Sequence, residues 1–313
     1  MGRATYIRKR LLVMIFVLFG VSLIIFSMIH LVPGDPAFLL LGQHATDQQA
    51  AALRHQLGLD QPLPLEYWHF IFGMLHGNFG TSIAYQQPVN SLVLRSLPVS
   101  LFLAIYAMVL SAIVTLPVGL WAATHKNKLS DHLIRAGFLF ALTTPSFWLG
   151  ILLILLFSLR LHLFPVAGYG NGFVEHLKYL FLPALTLSLQ LSAVLIRNLR
   201  SGILNTLNAD FVRTARAKGL RNRTVLIWHV LRNALISTVS IFGLQFGDVI
   251  GGVVIIETVF GIPGMGQLLY TSITSRDYPI VQAVTVVTAA LVVVVNLLVD
   301  LSYSLLDPRV TYD

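Results

Sequence analysis

Charged side chains are scarce in this 313-residue sequence: Asp, Glu, Lys and Arg together make up 11%, against about 25% in an ordinary soluble domain. So thin a supply of ions cannot cover a water-soluble fold of this length. Cysteine is absent, which excludes a disulfide framework and any thiolate metal site. None of the five lysines (Lys9, Lys126, Lys128, Lys178, Lys218) precedes Ser or Thr, so the Gly-Lys-Ser/Thr loop that cradles nucleotide phosphates is missing. The ten histidines form no His-Glu-x-x-His pattern, and no Gly-x-Ser-x-Gly nucleophile turn occurs. Glu66 and His69, three apart on an expected helix, read as a hydrogen-bonded surface pair. No catalytic residue, metal site or chain-bound cofactor is expected.

Apolar residues are plentiful, 56% of the chain with mean hydropathy +0.78, and they arrive in long runs. A helix rising 1.5 Å per residue needs about 20 of them to cross roughly 30 Å of hydrocarbon. Six runs have the length and character to do so, namely Leu11–Leu31, Val99–Ala122, Leu133–Leu159, Tyr179–Ile196, Ala234–Phe260 and Ile280–Tyr303. The first follows Arg8-Lys9-Arg10 and has no small-x-small cleavage site at its exit, so it reads as a retained span rather than a removable leader. Pro117, Pro145 and Pro183 lie inside these runs; membrane helices tolerate proline where neighbouring groups take up the freed carbonyls. The expected fold class is an all-α membrane protein, one domain over residues 1–313 with six transmembrane helices.

Lysine and arginine set the direction of such a bundle. With the N-terminus in the cytoplasm, sixteen of the twenty-one fall in cytoplasmic segments, leaving Arg54, Arg95, Arg160, Lys178 and Arg276 outside. The net charge of +8 thus reads as topology, with both termini cytoplasmic, and nucleic acid is not an expected partner.

Two segments outside the spans carry information. The outer loop, about 32–97, holds a helix beginning at Thr46 or Asp47 and a stretch, Leu65–Leu75, that offers Trp68, Phe70 and Phe72 to the membrane interface or to a packed face. It reads either as a docking or gating surface or as a cap on the bundle. The cytoplasmic loop, about 197–233, holds a short helix, Ala209–Lys218, with Asn208 or Asp210 as its cap and Gly219 as its stop. Phe211 and Ala215 share a face, with Val212 beside them. So short a helix is marginal alone. It suits either insertion into a groove on a soluble partner or a resting place on lipid headgroups.

Polar groups inside spans are costly. The fifth run carries Gln245, Asp248 and Glu257, and the sixth carries Asn296 and Asp300. They read as the lining of a translocation path or as a hydrogen-bond network between helices, with Glu257 and Asp300 near enough to span ends to be interfacial. Gly243, Gly247 and Gly251 recur at intervals of four, a spacing that lets helix backbones approach closely, within the chain or against a second subunit.

Phe211-Val212-Arg213-Thr214-Ala215-Arg216-Ala217-Lys218-Gly219-Leu220 resembles the cytoplasmic coupling motif of ABC-importer permeases in its dipeptide/oligopeptide form. His30-Leu31-Val32-Pro33-Gly34-Asp35-Pro36 is similar to the first of the two permeases in such systems. Leu57-Gly58-Leu59-Asp60-Gln61-Pro62, Gly77-Asn78-Phe79-Gly80-Thr81-Ser82, Glu257-Thr258-Val259-Phe260-Gly261-Ile262-Pro263-Gly264-Met265-Gly266 and Leu306-Asp307-Pro308-Arg309 also resemble the family, in order along nearly the whole chain. Two departures stand out. Arg213-Thr214-Ala215 replaces the broad Glu-Ala-Ala consensus, and Leu231-Arg232 replaces its closing Leu-Pro; both are typical of the peptide branch.

The resemblance implies a type I ABC-importer permease of the bacterial inner membrane, paired with a homologous second permease, two ATPase subunits that bind ATP and Mg, and an external substrate-binding protein. It implies that Asp210 to Gly219 (Asp210, Phe211, Val212, Arg213, Thr214, Ala215, Arg216, Ala217, Lys218, Gly219) couple the ATPases to alternating access of the spans. The implied cargo is a di- or oligopeptide, with nickel chelates, glutathione and sugars as alternatives. A stand-alone secondary carrier or channel and a membrane-bound enzyme are the rivals from other classes.

Overall fold

A computed structural model describes residues 3–31, 46–57 and 61–306. Residues 32–36, 58–60 and 307–309, parts of three of the motifs above, lie outside the described residues, and so does the side chain of Asp300. The described elements are helical. They are α1 (Arg3–Leu31), α2 (Asp47–Leu57), α3 (Leu63–Leu75), α4 (Val89–Thr124), α5 (Leu129–Thr143), α6 (Ser146–Leu153), α7 (Phe173–Tyr179), α8 (Phe181–Leu207), α9 (Asp210–Ala217), α10 (Asn222–Leu244), α11 (Phe246–Val259), α12 (Met265–Thr274) and α13 (Tyr278–Leu306). Wider π-helical turns continue α6 through Ile154–Arg160 and form Val225–Leu231 of α10.

Four helices, α4, α8, α10 and α13, are long and apolar enough to cross a bilayer alone. The α5–α6 pair, with its π-helical continuation, makes a bent fifth. The 29-residue α1 carries a shorter apolar stretch, Leu12–Ser27. Several boundaries differ from those expected. The second span starts at Val89, ten residues early. The third is not straight: it bends by 114° between Thr143 and Ser146. Pro145 forces the bend by pushing Thr144 into extended backbone, φ −83 and ψ 133. Gln190 Nε2 of α8 then donates to the freed Thr144 carbonyl at 2.8 Å. Pro183, by contrast, is the third residue of α8, where no intrahelical donor is lost. The fifth run is broken at Gln245, so its membrane-length helix is Asn222–Leu244 and α11 follows separately.

The contacts fall into two compact units: residues up to Val99 with Pro263–Leu297, and Ser100–Ile262 with Leu298–Leu306. In the first, Val89 and Val93 of α4 pack with Met265 and Leu268 of α12 and Ile280, Ala283 and Val284 of α13. A turn carrying Gly77–Ser82 is strapped to this core. Ser82 Oγ donates to the buried Asp277 Oδ2 at 2.5 Å, and Ala84 N donates to the same oxygen at 3.0 Å.

In the second unit α8 is the central element, with thirteen of its residues buried, Thr186, Ser188 and Ser192 among them. Ser192 Oγ reaches Ser111 Oγ of α4 at 3.1 Å. Small residues set the helix spacings: a Cβ added at Gly119 would lie 2.9 Å from Leu199, and one added at Gly202 would lie 3.3 Å from Ala234.

Candidate functional site

Eight residues form α9, and its sequence gives it two unlike faces. Val212 is fully buried and Ala215 is 7% exposed. They pack with Leu199 and Ile203 near the end of α8, Val225, Val230 and Ala234 of α10, and Ala123 of α4. Burying a side chain the size of Val contributes roughly 1.5–2 kcal/mol, so this face holds a helix too short to stand alone. The outer face carries Asp210, Arg213, Thr214 and Ala217, with Phe211 on its flank at 45% exposure. Arg213 Nη1 and Asp210 Oδ1 stand 3.8 Å apart, both well exposed. The expectation that Phe211 and Ala215 share one outward face is therefore corrected: Ala215 points into the chain and Phe211 out of it.

Both ends of α9 have a physical cause. At the C-terminus Leu220 N donates to Ala215 O at 3.3 Å and Gly219 N to Arg216 O at 2.9 Å, the paired bonds of a Schellman cap. Gly219 holds φ +78 with open space around it, so its role is conformational rather than steric. Lys218 and Gly219 follow the helix instead of belonging to it. At the N-terminus the expected side-chain cap is absent. Ala209 occupies the cap position, while Asn208 Nδ2 turns back to Leu204 O at 3.3 Å. The loop is also shorter than expected, because α8 runs to Leu207 and α10 begins at Asn222.

Composition gave no hint of an ion pair in the same unit. Arg200 of α8 grips Asp131 of α5 with two bonds, Nε to Oδ1 at 2.8 Å and Nη2 to Oδ2 at 2.7 Å. Asn127 N adds a third at 3.0 Å, and Arg135 stands 3.5 Å from Oδ1. Asp131 is fully buried and Arg200 is 16% exposed. Sequence reasoning counted Arg200 only as inward charge. The available signal was Asp131, an acidic residue at the mouth of an apolar run.

Of the four polar residues assigned to a path, three lie in the second unit and one in the first. In the second unit Gln245 sits at the α10–α11 break, half-buried; Asp248 is exposed; and Glu257 is fully buried. Asn296, half-buried in α13, belongs to the first unit. Glu257 is enclosed by the protein, and Ser100 Oγ donates to its Oε1 at 2.6 Å. It opens a motif that is structural throughout: Phe260 is buried 3.0 Å from where a Gly150 Cβ would stand, Gly261 takes φ +57 to cap α11, and Ile262 is buried behind it. Of the three spaced glycines, Gly243 meets Val299 of its own chain, where a Cβ would lie 2.6 Å from Cγ1. Gly251 has nothing within 4 Å, and Gly252 instead is the close approach, 2.9 Å from Leu187. Gly247 is half-buried in α11.

This helical bundle resembles importer permeases of known structure. The MetNI methionine ABC transporter aligns with TM-score 0.58 at 15% identity, over 69% of this chain and 96% of that one. An amino acid ABC transporter aligns with TM-score 0.52 at 16% identity, over 68% and 94%. Residues 115–312 match the family described as binding-protein-dependent transport system inner membrane component, and residues 3–104 match the N-terminal family of the same systems. The glutathione transport system permease protein GsiC of Salmonella typhimurium is 38% identical over 98% of this chain and 99% of its own. The probable D,D-dipeptide transport system permease protein DdpB of Escherichia coli K12 is 38% identical over 97% and 96%. The fold is that of an ABC-importer permease. The chain belongs to the family of inner-membrane components of binding-protein-dependent transport systems, and it is a multi-pass membrane permease.

Proposed function

We propose that this permease imports a short peptide or a peptide-like molecule such as glutathione. It would work beside a homologous second permease, two ATPase subunits and an external binding protein, with both its termini in the cytoplasm. In this reading α9 is the coupling helix, and the residues Asp210 to Gly219 divide by role. Phe211, Asp210, Arg213, Thr214 and Ala217 meet the ATPase. Val212 and Ala215 fix the helix to the bundle, while Arg216, Lys218 and Gly219 form and flank its cap.

One observation carries the assignment: the buried face of α9 packs at once on α8 and α10, two membrane-length helices. A push on its exposed face is delivered to both, whereas a loop resting on headgroups would have no such purchase. ATP and Mg would be held on the partner chains and act on this one only by favouring one of its two states over the other. Gln245, Asp248 and Asn296 remain candidates for the translocation path; Glu257, locked to Ser100, is assigned to packing instead.

The peptide assignment leans on the relatives at 38% identity, named for glutathione and a D,D-dipeptide. Uptake by vesicles holding the chain with its co-purified subunits tests it. ATP-dependent accumulation of glutathione, a D,D-dipeptide or an L-dipeptide is expected. Uptake confined to nickel chelates or sugars would overturn the substrate class. Uptake without ATP would overturn the importer class in favour of a secondary carrier.

A further inference from the structure

None of the thirteen residues of α3, Leu63–Leu75, is buried, although nine of them are Leu, Ile, Phe, Met, Trp or Tyr. Its large apolar side chains are arranged on two sides. Tyr67 and Phe70 turn toward α1: Tyr67 shares a hydrogen bond of 2.9 Å with Ser22, and its ring lies 6.0 Å from Phe19 and 5.2 Å from Phe26. Leu65, Trp68, Phe72 and Leu75, at i, i+3, i+7 and i+10, form a separate stripe and are 46%, 62%, 53% and 79% exposed. Between the two sides, Glu66, His69 and Gly73 face a cleft of about 580 Å³. The helix therefore has a polar side of its own, and the stripe is not it.

The depth of α3 follows from its hold on α1. Arg10 closes the basic cluster at one end of the first apolar run, and Ser22 lies twelve residues further along. That places the Tyr67 hydroxyl roughly 18 Å beyond the charged boundary, inside a hydrocarbon layer of about 30 Å. At that depth the surrounding medium is lipid. Phe19, Leu23 and Ile24 of α1, close to Ser22 along the helix, are likewise exposed apolar side chains.

We propose that α3 is not part of a water-exposed outer domain but a half-helix set into one leaflet. Its Leu65–Trp68–Phe72–Leu75 stripe would contact lipid, and its Glu66–His69 side would line a watery cleft. Because the chain has no cysteine, single-cysteine variants at Leu65, Trp68, Phe72 and His69 can each carry one spin label. The protein would be the full chain with the subunits that co-purify with it, in phosphatidylethanolamine–phosphatidylglycerol vesicles. Collision with oxygen should dominate over collision with a water-soluble nickel chelate at positions 65, 68 and 72, with the order reversed at 69. Nickel dominating at all four would make α3 a solvent-borne helix. Protection of 65, 68 and 72 from both reagents would make the stripe a protein interface. Either result overturns the proposal, and any one of the stripe positions that folds decides it.

Discussion

Arg200 and Asp131 form a two-pronged ion pair, 2.8 Å and 2.7 Å, that fastens α5 to α8 within the second unit. Removing one partner of such a pair strands a charge, a loss of up to about 3 kcal/mol for a guanidinium that keeps some access to water. Asp131→Ala should lower the apparent melting temperature in detergent by roughly 5–10 °C. Replacing both partners by Leu should recover part of the loss. An unchanged melting temperature in the single variant would show that the pair contributes nothing to the bundle.

The two faces of α9 separate stability from coupling. Phe211→Ala should leave expression and melting temperature unchanged and lower ATP-dependent uptake at least tenfold. Ala215→Leu should do the reverse of a clean uncoupling: the added volume enters the packing with Leu199 and Val230, costing about 1–3 kcal/mol, and it lowers stability together with uptake. Melting curves beside uptake rates distinguish the two. Equal effects on both quantities in both variants would contradict the division of faces.

Gly219 is required for its backbone, since nothing lies within 4 Å of where its Cβ would be. Gly219→Val should cost about 1–2 kcal/mol at φ +78. Gly219→Asn, which tolerates the left-handed region, should stay near wild type in uptake. If Val and Asn behave alike, the cap is not what this position supplies.

Glu257 and the spaced glycines test packing against path. Glu257→Gln keeps a hydrogen bond to Ser100 and should transport with unchanged KM, whereas Glu257→Ala should lower the yield of folded protein. A raised KM in the Gln variant, without loss of yield, would return Glu257 to the cargo route. Gly243→Leu should lower that yield as well, and Gly251→Leu should not, because only the first meets Val299. Equal yields would contradict the close approach.

Much of this was legible in the sequence for physical reasons. Runs such as Ile280–Tyr303 can only be membrane helices, and Gly219 after a ten-residue amphipathic stretch can hardly be anything but a helix stop. Proline was less legible. Pro117, Pro145 and Pro183 look alike in the sequence, yet only Pro145 coincides with the turn of a span: Pro183 falls in the first turn of α8, Gln190 serves the carbonyl beside Pro145, and α4 runs unbroken through Pro117. The orientation of Ala215 was hidden too, since four-residue spacing places it with Phe211 while packing pairs it with Val212. Asp131 and Arg200 are 69 residues apart, and no local pattern joins them.

Cross-linking from position 211 tests the coupling role of α9 most directly. A Phe211→Cys variant, the only thiol in this chain, would carry a photoreactive maleimide in the assembled transporter with and without ATP. The expected product joins this chain to an ATPase subunit, with a yield that changes when nucleotide binds. Labelling of the same cysteine by a membrane-impermeant thiol reagent added to intact cells from outside, or adducts with lipid alone, would contradict the coupling role.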